Sequence, residues 1–449
     1  MGRLFGTDGA RGVANTELTC ELAMNIGRAA AMVLTSSEVE HPTFVIGKDT
    51  RISGDMLEGA LVAGLCSVGA NVKILGVVPT PAVAYLVSKY KADAGIMISA
   101  SHNPYEFNGI KLFNDEGYKL PDELEEQIES IVLDNSEPYK VCSGDDLGSV
   151  EYVAEAADEY IDHVVSTVDY DLSGMRIALD CSNGSSSRTA KKLFEKLGAE
   201  CHMLFDHPDG ININENCGST HTETLMKYVR DNGLDAGLAF DGDADRCLAV
   251  DDNGELVDGD YIIAIIAADF KSRGMLKNNT VVGTVMTNMG FQKFCEINGM
   301  KFVSTKVGDR YVLEAMRLED YNIGGEQSGH VICLDYSTTG DGQLTGAQLL
   351  SLINRRQARL SSIATLMERY PQILINVKVS NENKNKFYTD KEIKEEIKRV
   401  ENILEGRGRI LVRLSGTEPI IRVMLEGEDY AEISRLANET AAVIKERLS

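Results

Sequence analysis

The chain has 449 residues and carries a formal net charge of −24. This acidic balance argues against nonspecific binding to nucleic acid or anionic membranes, although local basic groups can still bind a small anionic substrate. No apolar run approaches the length of a membrane span, the first residues hold no secretory signal, and the nine cysteines form no Cys-x-x-Cys pair. We therefore expect a cytoplasmic protein in a reducing compartment.

Apolar strands alternate with helical segments over the first three quarters of the chain. The first stretch has predicted strands at 44–46, 72–77 and 95–98, with a helix over 56–67. The second stretch has strands at 176–179, 201–204 and 236–240, and a helix over 188–197 that ends at Gly198; the third has strands at 281–285, 301–304 and 322–324. Such alternation is typical of parallel β-α-β units covered by helices.

In each of the three stretches the last strand runs into a polar loop. These loops are residues 99–104, 241–246 and 325–330. Because ligands of open α/β sheets bind beyond the carboxyl ends of the strands, the loops could face one shared cleft. The alternative is generic α/β alternation, since the three stretches share little sequence identity.

The last quarter of the chain has a different pattern. We predict strands at 372–379, 411–414 and 420–425, an amphipathic helix marked by apolar residues from Ile393 to Leu404, a closing helix, and an exposed loop over 381–391. The predicted fold class is therefore α/β, with three related α/β domains that have mixed, mainly parallel sheets and a C-terminal α+β domain. The predicted domains are 1–155, 156–252, 253–370 and 371–449.

The most informative motif is the acidic loop, which reads DGDADR over residues 241–246. In an extended backbone alternate side chains point the same way, so Asp241, Asp243 and Asp245 are predicted to converge. Oxygen ligands of this kind suit Mg²⁺, and the guanidinium of Arg246 suits a phosphoryl group bound beside it. The alternative interpretation is a solvated acidic turn.

A serine beyond the predicted strand 95–98 is a candidate nucleophile or phosphate carrier. Ser101 has this position, and Ser99 is a rival that the residues alone do not exclude. For either serine the alternative is a loop hydroxyl that bonds to backbone. Residues 108–111 predict a turn that presents Lys111, because Asn and Gly tolerate positive φ angles.

Two further segments carry groups suited to a phosphorylated sugar. Residues 324–330 place Glu326, Ser328 and His330 among glycines, which suits sugar hydroxyls and proton transfer. A phosphate cradle is predicted from two guanidinium groups, two hydroxyls and exposed backbone N–H groups, at Arg413, Ser415, Gly416, Thr417 and Arg422. For both segments a structural turn is the alternative.

The N-terminal residues 5–12 are rich in glycine and include Arg11. The favoured interpretation is a flexible turn. The alternative is that Thr7 and Arg11 contribute to the cleft.

Five segments, taken together and in this order, resemble the signature segments of the α-D-phosphohexomutase superfamily: 99–104, 108–111, 241–246, 324–330 and 413–419. The resemblance runs from residue 5 to residue 423 and implies four domains around a central cleft. Gln327 and the run 334–342 are typical of the branch that acts on glucosamine phosphates. Leu414 and Ala10 depart from the family, which often has Pro and Val there.

The resemblance also implies a role for each motif residue. Ser101 is expected to be the phosphoserine, and the expected metal ligands are that residue with Asp241, Asp243 and Asp245. Glu326 and Ser328 are expected to bind sugar hydroxyls, while the non-reacting phosphate is expected at Arg413, Ser415, Gly416, Thr417 and Arg422. The residues expected to transfer protons, contact substrate or complete the electrostatics are Lys111, His330, Arg246 and Arg11.

The implied reaction is the reversible conversion of glucosamine 6-phosphate to glucosamine 1-phosphate, which supplies UDP-N-acetylglucosamine synthesis. Expected cofactors are Mg²⁺ and glucosamine or glucose 1,6-bisphosphate as intermediate or activator. The expected partner is a small phosphosugar, with no nucleic acid or membrane, and the expected assembly is a homodimer. The alternatives are a phosphomannomutase/phosphoglucomutase with the same mechanism, a serine-phosphoenzyme phosphatase and a catalytically silent sugar-phosphate sensor.

Overall fold

The computed structural model describes residues 3–6, 8–35, 39–380, 382–414 and 419–448. The chain divides into two compact units. The first takes in Met1–Met286 and Gly299–Leu366, and the second takes in Thr287–Asn298 and Met367–Ser449. The division into four domains at the three predicted boundaries stays a prediction.

The first sheet of the first unit has seven strands: β1 (Phe5–Gly6), β2 (Gly9–Val13), β3 (Thr43–Lys48), β4 (Asn71–Val77), β5 (Ala94–Ile98), β6 (Phe107–Asn114) and β7 (Val150–Tyr152). They lie in the order β1-β2-β6-β5-β3-β4-β7. The pairs among β5, β3, β4 and β7 are parallel, and the pairs among β1, β2, β6 and β5 are antiparallel. Four helices belong to this part of the chain: α1 (Cys20–Leu34), α2 (Gly54–Ser67), α3 (Thr80–Tyr90) and α4 (Asp122–Asp134).

The two faces of this sheet carry different helices. Phe44 and Ile46 of β3 share a core with α1, α2 and α4, as their two-residue spacing on one face requires. On the other face α3 lies so close that a Cβ at Gly47 or Gly95 would stand 2.6 Å or 2.4 Å from valine side chains of that helix. Glycine at both positions therefore lets α3 pack directly against β3 and β5.

The second sheet has five strands: β8 (Arg176–Asp180), β9 (Glu200–Leu204), β10 (Ala236–Phe240), β11 (Cys247–Val250) and β12 (Leu256–Val257). Their order is β12-β11-β10-β8-β9, with β8 parallel to β9 and β10 and the other pairs antiparallel. The accompanying helices are α5 (Ala156–Ser166), α6 (Ala190–Lys196) and α7 (Glu223–Asn232). The predicted helix stop at Gly198 is confirmed by its φ of +98°.

The third sheet has four strands: β13 (Thr280–Thr284), β14 (Lys301–Thr305), β15 (Ile323–Gly325) and β16 (Val331–Cys333). Their order is β14-β13-β15-β16, and only the β15–β16 pair is antiparallel. The helices of this region are α8 (Gly259–Ser272), α9 (Met289–Ile297), α10 (Asp309–Leu318), α11 (Gly342–Arg356) and α12 (Leu360–Ile363). Of these, α9 falls in the second compact unit.

The second unit contains an antiparallel sheet of β17 (Gln372–Lys378), β18 (Gly408–Leu414) and β19 (Ile420–Gly427), in the order β17-β19-β18. Helices α13 (Lys391–Leu404) and α14 (Tyr430–Leu448) share its apolar core. The predicted fold class, three α/β parts and an α+β C-terminal part, is confirmed. Within the predicted loop 381–391, however, Lys384–Tyr388 forms a 3₁₀ helix, because Phe387 is buried in this core.

Two local predictions in the first unit are wrong. Residues 108–111 lie within strand β6 rather than in a turn, and a Cβ at Gly109 would stand 2.5 Å from the carbonyl oxygen of Ser99. This glycine therefore serves close packing of backbone, not a positive φ angle. The N-terminal segment is a β-hairpin of β1 and β2, and Glu129 anchors it by accepting hydrogen bonds from the N–H groups of Leu4 and Phe5.

Candidate active site

The polar loops that follow β5, β10 and β15 meet in the first unit. Ser101 Oγ of the first loop donates a hydrogen bond of 2.6 Å to Asp241 Oδ2 of the second. The second and third loops meet where His330 Nδ1 lies 3.7 Å from Asp245 Oδ2 and where Cys247 N donates to Gly329 O at 3.0 Å. These contacts confirm that the three loops face one another.

The acidic loop forms a turn, so the extended backbone expected from its alternating pattern is wrong. Ala244 has a φ of +56°, and its N–H donates to Asp241 O at 3.0 Å. The three carboxylates converge nevertheless, because one ligand oxygen from each of Asp241, Asp243 and Asp245 lies within 4.8 Å of the others. All three side chains are buried.

The free oxygens of this triad fit a hard divalent cation. Asp243 Oδ1 and Asp245 Oδ1 are buried and make no hydrogen bond to any residue that the structure describes. A buried carboxylate oxygen without a donor is costly, and a metal ion removes the cost. Burial and the neighbouring Asp245 and Asp243 raise the pKa of Asp241 well above its usual range, so this site is short of positive charge.

Lys111 extends from β6 and is almost fully buried against acidic side chains. Its Nζ lies 2.7 Å from Asp243 Oδ2, 3.2 Å from Asp8 Oδ2 and 3.3 Å from Asp245 Oδ2. Burial alone would lower the pKa of Lys111, but these carboxylates outweigh it and raise that pKa well above its usual range. The lysine is therefore an ammonium group that balances part of the charge of the triad.

Ser101 has a strained backbone that its surroundings hold in place. Its φ is +52°, a left-handed conformation uncommon for a residue with a Cβ. Ser101 N donates to Ser99 Oγ at 3.0 Å, while Ser101 O accepts from Arg51 Nη2 and Asn214 Nδ2, each at 2.9 Å. Ser99 Oγ in turn donates to Asp49 Oδ2 at 2.6 Å. Ser99 thus supports the loop, and Ser101 alone of the two rivals reaches the triad.

Two arginines lie beside the Ser101 loop. Burial first, and then the charges of Arg246 and Arg11, lower the pKa of His102 to about 4, so this imidazole is neutral. Arg246 Nε lies 3.8 Å from Asp245 Oδ1, and Arg11 Nη2 pairs with Asp8. Both guanidinium groups therefore give positive potential where a phosphorylated serine would need it.

The glycine-rich loop after β15 presents its three predicted residues differently. Glu326 is half-buried and accepts a hydrogen bond of 3.1 Å from Gly308 N, whereas Ser328 is exposed. His330 is buried, and Gly340 N donates to its Nε2 at 3.2 Å, which leaves Nδ1 facing Asp245. A Cβ at Gly340 would stand 2.4 Å from that nitrogen, so only glycine leaves room for the ring here.

The predicted phosphate cradle belongs to the second unit. Ser415, Gly416 and Thr417 lie outside the described residues. Arg413 of β18 and Arg422 of β19 are direct cross-strand partners. The two guanidinium-bearing residues of the predicted cradle are therefore neighbours in this sheet.

Sequence reasoning missed several residues that support the site. Asp49 and Arg51 follow β3 in the same way that the predicted loops follow their strands, so the polar run after that strand was an available signal. Asp8, Lys119 and Asp309 gave no such signal. Lys119 Nζ lies 2.6 Å from Asp8 Oδ1 and also pairs with Asp309, although the two aspartates are far apart in the sequence.

Models of known protein families match four successive segments of the chain. Models for the phosphoglucomutase/phosphomannomutase family match as α/β/α domain I at residues 2–139, α/β/α domain II at 158–254, α/β/α domain III at 258–370 and the C-terminal domain at 374–443. The chain therefore belongs to this family of phosphohexomutases, which are intramolecular phosphotransferases.

The chain is also similar over its full length to individual members of this family. The chain is 55% identical over 448 residues to the phosphoglucosamine mutase of Acetivibrio thermocellus, with 100% of both chains covered. It is also 55% identical over 447 residues to the phosphoglucosamine mutase of Clostridium novyi, covering 100% of this chain and 99% of that one.

Solved structures show the same fold at low identity. A phosphoglucomutase/phosphomannomutase family protein from Burkholderia thailandensis has a TM-score of 0.83 at 24% identity, with 99% of this chain and 97% of that chain covered. An Aspergillus fumigatus N-acetylphosphoglucosamine mutase in complex with GlcNAc-6P and magnesium has a TM-score of 0.69 at 16% identity, with 99% of this chain and 96% of that chain covered.

Among the described residues of the present chain, no helix has the length and apolar character needed to span a membrane.

Proposed function

We propose that this chain interconverts glucosamine 6-phosphate and glucosamine 1-phosphate, as a phosphoglucosamine mutase. The observation that carries the proposal is the 2.6 Å hydrogen bond from Ser101 Oγ to the buried aspartate triad. A serine at this position can carry a phosphoryl group whose charge a triad-bound cation would balance. The full-length relatives named phosphoglucosamine mutase support the choice of sugar.

The proposed reaction uses two phosphoryl transfers. Phosphorylated Ser101 gives its phosphoryl group to O1 of glucosamine 6-phosphate: the P–Oγ bond breaks, the P–O1 bond forms, O1 loses its proton, and Oγ gains one. The resulting 1,6-bisphosphate turns over within the site, and its phosphoryl group on O6 passes to Ser101 Oγ, which loses its proton while O6 gains one. Glucosamine 1-phosphate leaves, and the phosphoserine is restored.

Asp241, Asp243 and Asp245 would hold Mg²⁺ together with the phosphate on Ser101. Such an ion neutralises charge on the transferring phosphoryl group when it is bound. Arg246 and Arg11 would add positive charge beside the Ser101 loop. In the same scheme Lys111 balances part of the charge of the triad, and His330, whose Nδ1 faces Asp245, would contact substrate or transfer a proton.

The substrate is held at two places in this proposal. Glu326 and Ser328 would bind the sugar hydroxyls, since carboxylate and hydroxyl groups accept and donate the required hydrogen bonds. The non-reacting phosphate would lie between Arg413 and Arg422, with the hydroxyl and N–H groups of Ser415, Gly416 and Thr417. Because O1 and O6 exchange roles, this cradle must accept the phosphate of either end of the sugar.

Replacement of the nucleophile tests the proposal directly. Ser101→Ala should lose turnover by at least about 10³-fold, because no group remains to carry the phosphoryl between the two oxygens. Turnover is measured with glucosamine 1-phosphate and glucose 1,6-bisphosphate present. The matched control is Ser187→Ala, since Ser187 Oγ donates to Gly184 O of its own turn. Parental turnover in Ser101→Ala would refute the phosphoserine.

Product and substrate analysis separates the alternatives. A phosphatase would release inorganic phosphate in proportion to substrate consumed, whereas a mutase conserves the ester. Comparison of kcat/KM on glucosamine, mannose and glucose 1-phosphates decides between this activity and a phosphomannomutase/phosphoglucomutase. Cytoplasmic location and a homodimer remain part of the proposal, and cell fractionation and light scattering measure them.

A further inference from the structure

Thr80 is the first residue of α3, the helix that packs on β3 and β5, and it contacts the acidic loop. Its N–H donates to Asp243 O at 2.9 Å, and its Oγ1 donates to Asp243 Oδ2 at 2.6 Å. Thr80 and Asp243 are both 0% exposed. One threonine therefore binds the backbone and the carboxylate of the same aspartate, from an element 163 positions away in the chain.

The two carboxylate oxygens of Asp243 differ in their hydrogen bonds. Oδ2 accepts from Thr80 Oγ1 at 2.6 Å and from Lys111 Nζ at 2.7 Å. Oδ1 is buried and accepts from no residue in the described part of the chain. The carboxylate thus has one oxygen fixed by two donors, while the other is available to a cation.

We propose that Thr80 is a positioning residue that holds Asp243 with Oδ1 directed to the metal. The inference rests on the metal role that the proposed function gives to Asp243. Donors behind a metal ligand set its orientation, and their removal typically weakens metal binding by about 10–100-fold. Lys111 cannot fix the carboxylate alone, because its ammonium also contacts Asp8 and Asp245.

A pair of conservative variants isolates the hydroxyl. Thr80→Val keeps the shape of the side chain and removes the O–H donor, whereas Thr80→Ser keeps the donor and removes a methyl group. Isothermal titration of the full-length, metal-free enzyme with Mg²⁺, and separately with Mn²⁺, measures the Kd. We expect the Kd to rise by about 10–100-fold in Thr80→Val and to stay close to the parent value in Thr80→Ser.

Two further variants control the experiment. Thr345→Val makes the same change at a fully buried threonine of α11 whose hydroxyl has no hydrogen-bond partner among the described residues, so metal binding should not change. Asp243→Asn tests the metal site itself. If it binds Mg²⁺ like the parent, the metal role in the proposed function is refuted.

The remaining outcomes concern Thr80 alone. If Asp243→Asn loses metal binding but Thr80→Val keeps the parent Kd, the positioning role is overturned while the metal site stands. Equal weakening in Thr80→Val and Thr80→Ser also overturns it, because packing and not the hydroxyl would then decide. Circular dichroism checks the fold; if Thr80→Val is not native, Thr80→Ala replaces it under the same expectations.

Discussion

The first unit contains two groups of acids, one half-buried and one fully buried, that differ in how their charge is balanced. In one, Asp8 and Asp309 flank Lys119, whose Nζ pairs with both carboxylates. In the other, the carboxylates of Asp241, Asp243 and Asp245 converge but keep two buried oxygens without hydrogen bonds to described residues. The two groups meet through Asp8, which also contacts Lys111.

The difference separates a structural ion cluster from a binding site. Burial would lower the pKa of Lys119, but Asp309 and Asp8 raise it instead, so a lysine of the chain itself balances that group. In the triad, burial and mutual repulsion raise the pKa of Asp241. Lys111 balances only part of the charge of the triad, so the remaining negative charge is available to a cation from solution.

The largest effect should follow from removing charge from the triad. Asp241→Asn is expected to lower mutase turnover by about 10³-fold or more, because charge neutralisation at a transferring phosphoryl group has effects of that size. The melting temperature of the metal-free enzyme should not fall, since the substitution relieves repulsion with Asp243 and Asp245. Turnover assays and thermal unfolding measure the two effects, and a large loss of metal-free stability would contradict the comparison.

Removing the cation of the structural cluster should act on stability. Lys119→Met takes the shared lysine from the half-buried carboxylates of Asp8 and Asp309, while Asp8 keeps Arg11 and Lys111 as partners, so the loss of unfolding free energy should be about 1–3 kcal/mol. Chemical denaturation of the metal-free enzyme measures this loss. The matched control is Lys192→Met, which breaks an exposed pair with Asp158 and should change stability by less than about 1 kcal/mol. Equal stability of the two variants would refute the structural role of Lys119.

A buried acid outside both groups extends the comparison of charge balance, because it has no ion-pair partner among the described residues. Asp180, at the end of β8, accepts hydrogen bonds from the N–H groups of Ser182 and Gly218, each at 2.9 Å. Burial raises its pKa from the usual 3.8 to about 7. The folded state therefore keeps this proton to higher pH than the unfolded state does.

The sign of the resulting pH dependence follows from that shift. The stabilising contribution of Asp180 is complete below pH 4 and is lost as the pH rises through about 7, a change of about 4 kcal/mol. Asp180→Asn should flatten this part of the stability profile, measured by denaturation at several pH values from 4 to 8. A variant profile parallel to that of the parent would show that Asp180 does not titrate in this range.

Local sequence was sufficient to predict a feature whose residues all lie in one segment. The buried strand β10 follows from the apolar run 236–240, and the acidic loop follows it directly, so a metal-type cluster was predictable from those residues. The backbone geometry of this loop was not predictable from the same residues. The turn at Ala244 replaces the expected extended backbone, because φ angles in a polar loop depend on the contacts that hold it.

The rivalry between Ser99 and Ser101 shows where local sequence ends. Both serines are buried in one loop, and they were indistinguishable from the residues alone. The structure separates them through Asp49 and Asp241, which lie 50 and 140 positions away. The same holds for residues 108–111, whose Asn-Gly pair looks like a turn but pairs with β2 and β5 within a sheet.

The sequence by itself determined the alternation of buried strands and helices, the fold class, and the motifs that carry phosphoryl chemistry, because periodicity and adjacent polar residues are local properties. Tertiary structure decided which serine meets the aspartates, which oxygens stay free for a cation, and that Thr80 and Lys111 hold Asp243. Those facts depend on residues brought together from the first and second sheets, and the charge balance of this buried site exists only in the folded chain.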